Sequence, residues 1–338
     1  EQFLEIIDDI YVKYDDHFRM KLKKTIDSCY SKDEFNNLSN SIKDIEKEIT
    51  LFHDQACKLI IKKNRNIKID IIGFHGQTIL HKPQEGYSIQ IGDSKLLSKL
   101  TNTTVVSNFR ENDILNGGQG APLSSLYHHL ILSKIKSNLP SAVVNIGGIS
   151  NITYVENKNK IKSFDTGPGN YLIDKWVKMN SKMEFDDRGL LAKSGKSNES
   201  ILEKFLSNQY YKKKLPKSLD VKDFNLNDLS KLSLEDGCAT LSMFTVKSIC
   251  MAINSFSITP NKILFSGGGR KNDFIITNIK KIIKESIHLI DEFNFDGDFI
   301  ESQAFAYLAI RSYLKKFITF PTTTGAKKPS LGGTIFKS

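Results

Sequence analysis

Arginine is scarce in this 338-residue chain: by count it supplies six of the 48 basic residues. That scarcity qualifies the formal charge of +10, which would otherwise suggest a nucleic-acid partner. The lysines are scattered among isoleucine and asparagine. The densest run, Lys212-Lys213-Lys214, holds neither an aromatic residue for base stacking nor an arginine for a bidentate base contact. A nucleic-acid binder is therefore not expected. Cysteine is scarce too: Cys29, Cys57, Cys238 and Cys250 are far apart and form no CxxC pair, which points to reduced thiols in a cytoplasmic protein and to no structural zinc. No apolar run approaches the roughly 18 residues of a membrane span, and the acidic opening Glu1-Gln2-Phe3-Leu4-Glu5 has no signal-peptide pattern. Internal repeats and long low-complexity segments are also missing. At this length two domains are expected, with enough chain for a sizeable core.

What the chain does have is glycine at strand ends. Two β-branched arms, Val143 to Ile146 and Ile149 to Val155, meet at Gly147-Gly148, which reads as a β-hairpin with a nearly bare backbone tip. A phosphate needs several N–H donors at close range, and a Cβ at the tip would hold the anion away. Two further loops, Phe164-Asp165-Thr166-Gly167-Pro168-Gly169-Asn170 and Phe265-Ser266-Gly267-Gly268-Gly269-Arg270, end strand-like runs and lead into helix-like segments. One Gly-Gly turn says little. Three such loops point to a nucleotide or sugar-phosphate enzyme.

Along the rest of the chain, Phe18 to Leu59 carries apolar residues at helical spacing. The run Ile67 to Phe74 fits a buried strand ending in His75-Gly76-Gln77-Thr78, and open α/β sheets place ligands at such carboxyl ends. A hairpin or short strand at Tyr87 to Asp93 and a strand at Thr104 to Ser107 precede the polar loop Phe109 to Asp113 and Asn116 to Leu123. The domain boundary is expected between Lys134 and Ser141. Helices are expected over Leu241 to Phe256 and Glu301 to Lys316, and a strand over Lys262 to Phe265.

Several motifs dissolve on inspection. Gly189 to Ser197 resembles a Walker A loop, but five residues separate its glycines where that motif needs four. Gly118-Gln119-Gly120 lacks the third glycine of a dinucleotide fingerprint. The seven histidines form no metal signature. His128 and His129, adjacent on a helix, read as packing or surface residues, while His75 reads equally as a structural residue or a substrate contact. Asp165 is either a general base whose proton affinity is raised by nearby phosphate charge or a cap on the next helix. Glu301 could be an acid at a helix start or a functional group, and Arg110 with Asp113 an ordinary ion pair or a polyol-binding pair.

Taken in order, Gly73-Phe74-His75-Gly76-Gln77-Thr78, Gln90-Ile91-Gly92-Asp93, Phe109-Arg110 with Asp113, Gly117 to Leu123, Asn145 to Ile149, Phe164 to Asn170, Gly267-Gly268-Gly269, Glu301 with Ala304-Phe305-Ala306, and Leu331-Gly332 resemble anhydro-N-acetylmuramic acid kinases. The resemblance spans nearly the whole chain. It implies an α/β fold of two actin-like, ribonuclease-H-like domains around an interdomain cleft, residues 1–140 plus 302–338 on the sugar side and 141–301 on the ATP side. It further implies ATP and Mg2+ as cofactors, a homodimer, and an activity in cytoplasmic cell-wall recycling: hydrolytic opening of 1,6-anhydro-N-acetylmuramic acid with phosphorylation of O6.

Carried onto this chain, the resemblance makes Asp165 the base, and Gln77, Thr78, Arg110, Asp113 and Glu301 sugar-binding. Asn145, Gly147, Gly148, Asn151, Gly167, Gly169, Gly267, Gly268, Gly269 and Asn272 would bind ATP. No metal ligand is assigned. The family's opening Gly-Thr-Ser-x-Asp-Gly turn, the other half of its phosphate clamp, does not occur here; Tyr11 to Arg19 already resembles the region after it. Either the sequence is an amino-terminal truncation or the natural protein has lost the turn, and the second case raises an alternative, a remnant that binds the sugar or dimerises without phosphoryl transfer.

Overall fold

The computed structural model describes residues 4–219 and 224–338. Residues 1–3, part of the acidic opening, and 220–223, part of the lysine-rich middle, lie outside the described residues. The strands in chain order are Ile71–Gly73 (β1), Gln77–Lys82 (β2), Tyr87–Ile91 (β3), Thr104–Ser107 (β4), Ser141–Ile146 (β5), Ile149–Asn157 (β6), Lys160–Pro168 (β7), Lys262–Ser266 (β8), Ser286–Leu289 (β9) and Thr334–Phe336 (β10). The chain divides into two compact units, one of residues up to Tyr127 with Ser302–Ser338, the other His128–Glu301. The division falls inside the helix Ser125–Lys134.

In the His128–Glu301 unit, five strands lie in the order β7-β6-β5-β8-β9. The first three in sequence form an antiparallel meander, and β8 and β9 run parallel to β5. Numbered within the unit, this is 3-2-1-4-5 with an antiparallel second strand, the ribonuclease-H-like arrangement. Every residue of β5 is buried, as a strand covered on both faces requires. Val144, Ile152, Phe164 and Phe265 form one cross-strand row inside the main apolar cluster. They share that cluster with Leu241, Phe244, Ile249 and Ile253 of the helix Leu234–Asn254. This helix starts seven residues earlier than its apolar pattern suggested. Ser233 caps it by accepting from the Asp236 amide, Glu235 and Asp236 suit its first turn, and Gly237 is needed because a Cβ there would run into the Trp176 indole.

The other unit has a smaller sheet, β1-β4-β10, with β1 parallel and β10 antiparallel to β4, and a separate antiparallel hairpin of β2 and β3. The helix Ser39–Lys63 turns Ile42, Ile45 and Ile49 inward at helical spacing, onto Phe18, Leu22, Phe74, Leu97 and Val105. β1 is shorter than the expected Ile67 to Phe74. Ile67 closes a turn onto the Asn64 carbonyl, Lys68 pairs with Asp70 at the surface, and Ile71 to Gly73 pair with the four-residue β4, the Phe74 amide adding a last bond to the Val106 carbonyl at 2.8 Å.

Candidate active site

Strand register assembles a polar row in the His128–Glu301 unit. Asp165 on β7 stands opposite Asn151 on β6, Asn151 opposite Asn145 on β5, and Asn145 opposite Ser266 on β8. Directly opposite residues share a face, with Cβ atoms about 4.5–5.5 Å apart, so four polar side chains form one row facing away from the apolar row of Val144, Ile152 and Phe164. Hydrogen bonds tie its far end together. Ser266 Oγ donates to Asn145 Oδ1 at 3.3 Å, and Asn145 Nδ2 donates to Glu301 Oε1 at 3.1 Å. Asn151 Oδ1 is enclosed and accepts no hydrogen bond within the described residues.

Asp165 is inside a strand, not at a helix end; Asn170 holds the N-cap position of the next helix, Tyr171–Asn180. The cap reading is thereby overturned. Thr166 is an extra residue between the pairs Asn151/Asp165 and Ser150/Gly167, a β-bulge of the kind that re-aims side chains beside active sites. Asp165 is held from several sides. Its amide donates to the Lys217 carbonyl at 3.0 Å, its carbonyl accepts from the Tyr210 hydroxyl, and its Oδ2 accepts from the Leu219 amide at 2.9 Å. A carboxylate only 5% exposed thus sits in one orientation at the head of the polar row.

The glycines separate into two groups. Gly169 is required by packing, since a Cβ would run into the Gly147 carbonyl oxygen, and Gly269 by its contact with Ile146. Gly167 is tight against Ser248, and Gly267 has φ +78° and lies against Asn145 and the Ile146 backbone. In contrast, Gly147, Gly148 and Gly268 have ordinary φ, and a Cβ on them would meet nothing closer than 3.4, 3.7 and 4.0 Å respectively. The fold does not require glycine there. A ligand approaching the backbone would. The amides of Gly169, Asn170 and Tyr171 bond back to the Gly148, Gly147 and Gly148 carbonyls at 2.9, 2.8 and 3.1 Å, locking the hairpin tip to the start of the next helix. Asn272 is mainly structural: its side chain caps the helix Asp273–Ile282 through the Ile275 amide at 3.1 Å. Sequence reasoning missed Arg270, whose buried guanidinium bonds Asp291, Asp298 and the Gly267 carbonyl and so fastens the third glycine loop.

In the other unit, Arg110, Asp113 and Gly120 are drawn together. Arg110 Nη1 donates to the Gly120 carbonyl at 2.6 Å, and the Gly120 amide donates to Asp113 Oδ2 at 2.7 Å. Asp113 Oδ1 accepts from Thr324 at 2.7 Å, so this 1%-exposed carboxylate shapes the loop from beneath. Gln77 and Thr78 open β2, where Gln90 donates to the Thr78 hydroxyl at 3.2 Å. His75 accepts from Arg110 Nε at 3.0 Å. Among the described residues no group of three or more His, Cys, Asp or Glu side chains could hold a metal ion, and no helix is long and apolar enough to cross a membrane.

A ribonuclease-H-like sheet with open glycine tips and a polar row headed by Asp165 places the His128–Glu301 unit in the actin-like fold class. The family model for anhydro-N-acetylmuramic acid kinase matches residues 5–338. A protein of that name from Pelagibacter ubique (strain HTCC1062) is 47% identical, covering 100% of this chain and 92% of the relative. Its namesake from Zymomonas mobilis is 41% identical over 86% of this chain and 80% of the relative. The chain belongs to the anhydro-N-acetylmuramic acid kinase family and is a phosphotransferase. Among solved structures, a ROK family glucokinase from Streptomyces griseus overlaps 80% of this chain and 88% of its own at 11% identity and a TM-score of 0.37, too little to argue from.

Proposed function

We propose that this protein uses ATP to open 1,6-anhydro-N-acetylmuramic acid and phosphorylate O6, with Asp165 as the base. The reading is carried by the row Asp165–Asn151–Asn145, which sets a fixed carboxylate beside glycine tips that the fold itself leaves unexplained. Asp165 takes a proton from water as the water oxygen bonds the anomeric carbon. The C1–O6 bond breaks, and O6 keeps its electron pair and attacks the γ-phosphorus, releasing ADP. Most of the acceleration then comes from alignment and charge stabilisation rather than covalent work by the protein.

In this reading the unit containing Arg110, Asp113, Gln77 and Thr78 is the sugar side, and the His128–Glu301 unit is the ATP side. Arg110, Gln77, Thr78 and Glu301 contact the sugar, while Asp113 acts by holding the Gly120 loop. Gly147, Gly148 and Gly268 admit the phosphates; Gly167, Gly169, Gly267, Gly269 and Asn272 shape the loops that present them. Mg2+, a hard cation that keeps waters and phosphate oxygens as most of its ligands, fits a site with few protein donors. Besides Asp165, Glu301 and the unpartnered Asn151 Oδ1 would offer it oxygen donors on that face, and the ion would neutralise charge on the transferred group. The protein would work in the cytoplasm as a homodimer. Relatives at 41–47% identity over most of the chain do not favour the non-catalytic remnant.

The test is ADP release with ATP, Mg2+ and the anhydro sugar each omitted in turn, in native protein and Asp165→Asn. ADP should form only with all three, and the variant should bind both ligands by calorimetry without turnover. Full turnover in the variant would remove Asp165 from the role.

A further inference from the structure

His75 ends the segment after β1 and is enclosed by its own unit. Its ring lies 4.3 Å, centroid to centroid, from Phe305 of the helix Ile300–Tyr313. Phe305 in turn packs on Phe109. Nδ1 bonds the Gly76 carbonyl at 2.9 Å, and because a carbonyl only accepts, Nδ1 carries the proton. Nε2 is then a lone pair, and it accepts from Arg110 Nε at 3.0 Å. Burial, reinforced by the Arg110 and His81 charges, pushes the His75 pKa down to about 3. The titratable groups facing it are Arg110 and His81, the latter held through Nδ1 by Ser88.

An arginine side chain has several rotatable bonds, and its fork is useful only when aimed. Here Nε is fixed by His75 and Nη1 by the Gly120 carbonyl, which together set the plane of the guanidinium. A protonated imidazole would turn that acceptor into a donor facing a cation. We propose that His75 is a positioning residue, held as the neutral Nδ1–H tautomer so that Arg110 is aimed at the sugar. The inference rests on the sugar-binding role of Arg110 proposed above.

The test compares His75→Phe, which keeps the stacking on Phe305 but has no acceptor, with His75→Gln, whose side-chain oxygen can reach the place of Nε2. Losing a hydrogen bond to a charged group predicts about a 10- to 100-fold rise in the KM for the anhydro sugar in His75→Phe. The KM for ATP should stay near native, and His75→Gln should recover most of the loss. In an Arg110→Lys background, His75→Phe should add little further effect. A raised sugar KM in Arg110→Lys with a native one in His75→Phe would overturn the inference and leave Arg110 in place. A native sugar KM in Arg110→Lys would remove the Arg110 role and this inference with it. Independently of activity, 15N NMR of the native protein should show His75 as the Nδ1–H tautomer without titration from pH 5 to 8. Titration near pH 6.5 would overturn the proposal even if the phenylalanine variant fails to fold.

Discussion

The two units hold their polar groups in different ways. In the His128–Glu301 unit, Asp165, Asn151, Asn145 and Ser266 are neighbours because β7, β6, β5 and β8 pair in a particular register. In the other, His75 follows β1, and Arg110 and Asp113 cap and open the short helix Glu111–Leu115 where a polar loop was expected; side-chain hydrogen bonds to Gly120, Thr324 and each other hold them. A site set by register should tolerate loss of a single side chain with little change in geometry. A site set by a side-chain network should loosen when any one member is removed.

The largest expected effect tests the first half of that contrast. Asp165→Asn should lower kcat by about a thousandfold, within the usual range for a general base, while the melting temperature stays within a few degrees because the clamp on its backbone remains. A variant that loses activity only by unfolding would break the contrast.

One row further along the same sheet face, Thr153 bonds at 2.8 Å to Nδ1 of His128 from the helix Ser125–Lys134; this histidine is fully buried and pushed by burial to a pKa of about 3. The unfolded chain takes up a proton near pH 6.5 that the folded one refuses, so stability is lost as pH falls from about 6.5 toward 3. By pH 4 the loss reaches as much as about 3 kcal/mol. Urea unfolding at pH 7, 5.5 and 4 should therefore show a shallower acid decline in His128→Phe than in the native protein; parallel curves would show that the histidine is not held neutral.

For the network half, Asp113→Ala strands the Gly120 amide and the Thr324 hydroxyl. It should cost about 2–4 kcal/mol and raise the sugar KM together with the instability, whereas Thr324→Val should cost about 1 kcal/mol. A stable Asp113→Ala protein with native sugar affinity would equate the two halves. The smallest effect sharpens the glycine contrast. Gly148→Ala should leave stability within about 0.5 kcal/mol and raise the KM for ATP about tenfold, or 1.4 kcal/mol; Gly169→Ala should destabilise the fold outright, because its Cβ has no room beside Gly147.

Much of the glycine-loop architecture is legible in the linear chain, because Gly147-Gly148 and Gly267 to Gly269 sit at the ends of apolar, strand-forming runs and chain-local signals mark turns. The Leu234 start of the long helix is less legible, since Gly237 disguises it and only contact with Trp176 explains that glycine. The role of Asp113 was not legible at all: its partner Thr324 lies 211 positions away. Nor could periodicity alone tell whether His75 served structure or substrate, because that depends on which nitrogen faces Arg110.

The order of residues by itself determined where the backbone is left bare, that a carboxylate stands at position 165, and most of the strand-forming runs, though not β2, β9 or β10, since these follow from local sterics and the alternation of apolar groups. Only the tertiary structure decided that Asp165, Asn151 and Asn145 form one row, that Thr166 bulges out to aim the acid, and that a neutral His75 fixes Arg110. Strand pairing and buried hydrogen bonds join residues far apart in the chain, and their energies depend on burial that no local pattern encodes.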